Sequence, residues 1–417
     1  MTTLMHKESS PVTLREGRSA PRVPDPPRAP GQLISGPLAV VFLSSVAMLT
    51  SFYLLLSVTP KYVAAGAGTA GAGLVTGVLL LGTVLAELSA SVLMKRYRYR
   101  TLLAVGAVLM GIPALALLSG GPLVLVLAVS CVRGFGFGLS TVVMGAMTAM
   151  LLPPERRGEG LGLYGAVDCL PGVVALPAGV WLAGHYGYAM VLVLTVAAAL
   201  VPLAVFRKLP RMADPGEPDA GRSTGLLDGL RRYGELRLAL IFAATTVAAG
   251  VVVSFLPLAA GASGSIAGAG LLVQALTATI SRWWAGRHGD RHGHARLLVP
   301  GLLIASAGMI AMMWLTAPAA VIAAMCLFGL GFGISQNATF AMMIERMPES
   351  GLGTASALWN LAYDAGYGAG PAVFGLVVGL TGYPVAFALM GVLMVTAVPA
   401  ARRQHVASRA SKPSSPA

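Results

Sequence analysis

Apolar runs of about 20 residues recur along this chain, and no other feature constrains its fold so tightly. They lie near residues 36–58, 71–94, 101–119, 122–152, 160–183 and 188–206, then near 236–258, 264–286, 297–317, 319–345, 354–380 and 383–401. At 1.5 Å per residue, each is enough for a helix to cross a hydrocarbon layer of roughly 30 Å. A soluble protein of this size carries roughly a quarter charged residues. Here the share is 11%, with a mean hydropathy of +0.77, so water is not the main solvent. The expectation is an all-α transmembrane protein of twelve helices.

The polar segments divide it. Residues 1–33 are rich in Pro, Arg and Ser and have nothing to bury, as in a disordered tail. Residues 34–206 form a first six-helix bundle and 236–401 a second, with a short tail at 402–417. Residues 207–235 link them and carry Pro210, Pro215, Pro218 and several charges. Thr224–Glu235 reads as a plain solvated linker, or as a short amphipathic helix on the membrane surface.

The basic residues fix the orientation. With both termini in the cytoplasm, 27 of the 29 lysines and arginines fall on that side. Counting Arg237 with the linker and Arg282 with the inward-facing region 282–296, only Lys61 lies outside and only Arg133 within a span. A wrong helix count would scatter these charges over both faces. Their placement also accounts for the net charge of +13 without a nucleic-acid partner. Arginine outnumbers lysine 24 to 5, which suggests a bacterial source, and the expected location is the cytoplasmic (inner) membrane.

The halves repeat. Adding 195 takes Arg96 to Arg291 and Leu102-Leu103 to Leu297-Leu298. It takes Gly134, Gly136, Gly138 and Ser140 to Gly329, Gly331, Gly333 and Ser335, and Gly187-Tyr188 to Gly382-Tyr383. Shared composition gives scattered glycine matches but not a whole series at one offset. Two pseudo-symmetric halves of this kind place a transported small molecule at their interface.

One charged turn carries a family pattern: Gly286, then Asp290-Arg291, Gly293 and Arg296, leading into apolar residues. It resembles the loop signature of the major facilitator superfamily, secondary transporters of twelve helices, and the likeness extends to the drug-efflux-like, proton-antiporter branch. In the first half the copy is degraded: Ser91 stands for the first glycine, Lys95 for the aspartate and Arg98 for the second glycine, while Arg96 is kept. The resemblance implies a gate in which Asp290 and Arg291 hold against the start of the fifth span, near Glu155–Glu159. The fifth span carries Pro171-Gly172 and Pro177-Ala-Gly179, which partly resemble the antiporter signature without its contiguous form.

Charged groups within spans are costly and mark function. Arg133 sits in Arg-Gly-Phe-Gly-Phe-Gly. The family has a similar arginine associated with proton coupling; the other reading is a helix-packing salt bridge. Glu87, Asp168 and Asp364 are the acids in this setting. Removing an acid from water disfavours its charged form, so it can load and release a proton. Asp364 is the leading proton site and Asp168 the second; alternatively Arg133 or Arg282 neutralises these acids for packing. Gln336, Asn337, Trp359, Asn360 and Tyr363 are candidates for a substrate cavity, or else polar helix glue.

No cofactor or metal is expected. His288, His292 and His294 crowd the charged turn but lack further ligands except Asp290. No lysine is followed by Ser or Thr, so a phosphate-binding loop is absent, and energy must come from an ion gradient or from the substrate's own gradient. The reading is a monomeric, proton-coupled exporter of hydrophobic or amphipathic molecules working by alternating access. Nutrient uptake and a non-transporting sensor on the same scaffold are the alternatives, and no constellation of an enzyme appears.

Overall fold

The computed structural model describes residues 35–152, 157–205, 208, 236–260, 264–346 and 352–410. Among them there is no strand. The helices are α1 (Gly36–Leu56), α2 (Thr59–Arg96), α3 (Tyr99–Gly111), α4 (Leu123–Leu151), α5 (Arg157–Ala199) and the single turn α6 (Val201–Ala204). After the linker come α7 (Leu236–Ala259), α8 (Gly264–His292), α9 (Leu298–Ala311), α10 (Pro318–Arg346), α11 (Leu352–Thr381), α12 (Tyr383–Val395) and α13 (Val398–Ala410). The linker apart from Lys208, residues 1–34 and 411–417, and Glu155 lie outside the described residues.

The chain ends its helices where its residues require it. Ser35 caps α1 by accepting from the Leu38 N–H, and a proline stands in the first turn, where its missing N–H costs nothing. Gly68 (φ 66°) and Gly187 (φ 80°) break α2 and α5 in a backbone region closed to side chains.

Eight stretches are long and apolar enough to cross a membrane: 36–90, 99–119, 123–148, 167–204, 236–259, 294–314, 318–346 and 383–404. The protein is therefore a multi-pass membrane protein. The first and fourth, of 55 and 38 residues, exceed one crossing, and each contains a glycine break. Helices α8 and α11, 29 and 30 residues long, fall where two more spans were expected but are not among the eight. They carry the polar residues described below.

Close packing between helices depends on glycine. A Cβ at Gly134, Gly136 or Gly138 of α4 would strike the backbone of Leu79, Gly106 or Thr83. At Gly329, Gly331 or Gly333 of α10 it would strike Gln274, Gly301 or Ala278, the residues 195 further on. Small residues of this kind let membrane helices approach to backbone contact.

The two parts of the chain meet through α2 against α11 and α7, and α5 against α8. Gly73 abuts the Pro371 carbonyl, and the Thr69 hydroxyl donates to the Gly375 carbonyl at 2.9 Å. Thr76 and Ser254 bridge α2 to α7 at 2.9 Å. One apolar core runs through both parts, with Phe52 stacked on Phe137 and Phe255 packed on Phe374.

Candidate functional site

The acids lie where helices of the two parts face each other. Asp168 of α5 accepts a hydrogen bond from the Ser45 hydroxyl of α1 at 2.6 Å. The same hydroxyl is 3.2 Å from the Tyr164 hydroxyl, four residues before Asp168 and thus on the same helix face. Glu87 of α2 and Asp364 of α11 lie within electrostatic reach of each other across the junction of the parts. Two carboxyl groups placed so near each other repel when both are ionised. Asp364 is only 9% exposed.

Around them stands an aromatic wall with one cation. Tyr363 and Tyr367 stack along α11 at 5.4 Å, and Trp359 lies 5.7 Å from Tyr363. Phe242 of α7 stacks on Trp359 at 4.5 Å. Tyr53 of α1 lies within electrostatic reach of Asp168, Cys169, Asp364 and Arg282, which brings four helices to one place. Arg282 of α8 points to the Cys169 sulfur at 3.9 Å and lies 6.0 Å from the Trp359 ring centre.

The expected residues divide. Trp359, Tyr363, Asp364, Glu87 and Asp168 gather here. Asn360, expected to share the Asp364 face, is exposed while Asp364 is buried. Gln336 is buried, and the Asn337 Oδ1 is buried without a partner, its amide nitrogen lying against Gly286.

Arg133 does not join the acids. Its Nε donates to the Met110 carbonyl at 3.0 Å and a terminal nitrogen to the Ser51 carbonyl at 3.4 Å, tying α4 to α3 and α1. It borders a void of about 10 Å³, close to the least room a water needs. Among the described residues, neither a packing salt bridge nor a proton-site acid is its partner.

The charged turn is held by a residue the family pattern does not include. His294 is 6% exposed, hydrogen-bonded to Glu345 at 2.7 Å and 3.6 Å from Asp290. Gly289 makes room for its ring. Gly293 turns the chain at φ 89°. Asp290 and Arg291 end α8, and Arg296 closes the short 3-10 turn His294–Arg296. Glu155 lies outside the described residues and nothing is described of the Glu159 side chain, so the expected gate contact lies there too. His288 and His292 stack at 4.3 Å, and among the described residues no cluster of three metal-binding side chains occurs.

Ser45, Tyr53, Tyr164, Cys169 and Tyr367 escaped the sequence reading because single hydroxyls and thiols in apolar runs carry no spacing signal. Arg282 had one: it is the repeat equivalent of Glu87, yet it was counted with the cytoplasmic charges.

The Major Facilitator Superfamily profile matches residues 40–369, and a second match covers 238–416. Solved structures share the fold. A bacterial homolog of the human lysosomal transporter Spinster, inward-facing and occupied, is 17% identical with a TM-score of 0.72, covering 89% of this chain and 96% of that one. The nucleoside transporter NupG is 12% identical with a TM-score of 0.71, covering 89% and 99%. A peptide transporter, POT, in complex with sulfate is 13% identical with a TM-score of 0.71, covering 89% and 94%.

Proposed function

The chain belongs to the major facilitator superfamily, and from that premise we propose that it exports hydrophobic or amphipathic small molecules in exchange for protons. The observation that carries this reading is the carboxyl pair Glu87–Asp364. It bridges helices from the two parts, beside an aromatic wall able to hold an apolar ligand. A proton held there joins the parts, and its loss leaves like charges that separate them. Asp168, set on Ser45 and Tyr164, is the second proton site.

In this reading the chain crosses the cytoplasmic membrane of a bacterium twelve times as a monomer, with both termini inside. The breaks at Gly68 and Gly187 are turns between successive spans, and α8 and α11 supply the two spans whose polar residues lower their apolarity. Residues 34–206 and 236–401 are the moving bundles, joined by 207–235, and tails occupy 1–33 and 402–417. The tight contacts from Thr69 to Thr76 then lie toward the outer face and close it. Gly286, Asp290, Arg291, Gly293, Arg296 and Arg96 belong to the inner gate, and Gln336, Asn337, Trp359, Asn360 and Tyr363 to the substrate path. Arg133 supports the site by holding three helices together. Proton-coupled nutrient uptake is the second reading, favoured by nucleoside and peptide transporters among the similar structures.

The test is accumulation of a panel of dyes and antibiotics in an efflux-deficient bacterium expressing the chain, with and without a protonophore. Lower accumulation that returns to the background level with the protonophore, and with Asp364→Asn, is the expected result. Raised accumulation of any compound reverses the direction. An unchanged effect in Asp364→Asn removes that residue from coupling.

A further inference from the structure

Arg282 is a fixed cation at the junction of the two parts, and the acids around it are engaged elsewhere. Asp168 accepts from Ser45, and Asp364 lies beside Glu87. Among the described residues no carboxylate lies within ion-pairing distance of Arg282. Its contacts are the Cys169 thiol at 3.9 Å, a weak acceptor, and the face of Trp359 at 6.0 Å. The guanidinium presents a planar fork of donors that fits a carboxylate with two parallel hydrogen bonds. An arginine at membrane depth without a counter-charge is costly, and it is half-buried, so part of it is reachable.

We infer that Arg282 is the anion-binding residue of the substrate site, and that the substrates are amphipathic aromatic carboxylates. The carboxylate sits in the Arg282 fork while the ring lies against the wall formed by Trp359, Tyr363 and Tyr53. Arg282 and Trp359 come from different helices, so the site meets charge and ring together. This rests on the transporter reading for its biological use but not for the binding itself.

The full chain in detergent, titrated with 2-naphthoate, its neutral amide and 2-naphthylmethylammonium by calorimetry, tests it. The expected result is a preference of about tenfold or more for the acid over the amide, the size of one charge-assisted contact. Arg282→Gln removes the preference while amide binding persists, which also shows that the variant is folded. Arg282→Lys retains part of it, because the charge stays and the fork is lost. Equal affinity for acid and amide, tighter binding of the ammonium, or no binding of the acid at millimolar concentration overturns the inference, as does an undiminished preference in Arg282→Gln. Proteoliposomes with an imposed proton gradient separate the two claims. Dye movement without acid binding leaves the transporter reading standing and this inference fallen. Acid binding with no gradient-driven movement of any compound does the reverse.

Discussion

Residues of the first half and those 195 further on share a backbone plan but not a chemistry. Gly134, Gly136 and Gly138 meet Leu79, Gly106 and Thr83 as Gly329, Gly331 and Gly333 meet Gln274, Gly301 and Ala278. The side chains between diverge: Glu87 stands where the second half has Arg282, Asp168 where it has Tyr363, and Arg133 where it has Phe328. The turns diverge as well. Gly293 turns at φ 89°, whereas its equivalent Arg98 takes φ −67° and ψ 139°, an ordinary extended conformation. Close helix approach tolerates only glycine, so the contacts that build the scaffold stay alike. Side chains facing the junction are free of that constraint, and there the halves become complementary.

The comparison breaks or sharpens in three experiments. The largest effect should come from Gly134→Val and Gly329→Val, which drive side chains into backbone. Each should cost about 3 kcal/mol or more and abolish a monodisperse protein peak in detergent. If only one does, the halves do not share their packing.

Next is the lock on the second turn. His294→Ala should lower stability by about 1–2 kcal/mol through its lost hydrogen bond to Glu345, read as thermal unfolding in detergent. With Glu345→Ala as partner, the double variant should fall short of the sum by about 0.5–1 kcal/mol. Full additivity would mean that the pair contributes nothing, as exposure of Glu345 to 58% allows for surface pairs.

Smallest is the turn backbone. Gly293→Ala should cost about 1 kcal/mol, because alanine is strained at positive φ. Arg98→Ala at the equivalent place should change stability by less than about 0.5 kcal/mol in the same measurement. Equal losses would show that conformation does not distinguish the turns.

Much of this was legible in the residues. The membrane class follows from runs of about 20 apolar residues, since an apolar helix of that length has one solvent that suits it. The repeat is written in the glycine series, because a missing Cβ is a requirement of contact and is inherited with it. Asp364, Asp168 and Glu87 stand out as acids in apolar surroundings. Expectations were weaker where a side chain can reach in several directions. Arg133 is long enough to find an acid and instead binds the carbonyls of Met110 and Ser51. Asn360, one turn from Asp364, is exposed where Asp364 is buried.

The sequence by itself determined that the chain lives in a membrane, that its glycine series repeats, and which ionisable groups stand in apolar runs. Those are properties of composition and period along one strand of residues. Only the tertiary structure decided partners. Glu87 and Asp364 are 277 positions apart and meet because α2 packs on α11, and Arg282 meets a thiol and a ring because α8 packs on α5 and reaches α11. Hydrogen bonds and ion pairs act over a few ångströms, so they depend on which helices pack together, and no linear spacing encodes that.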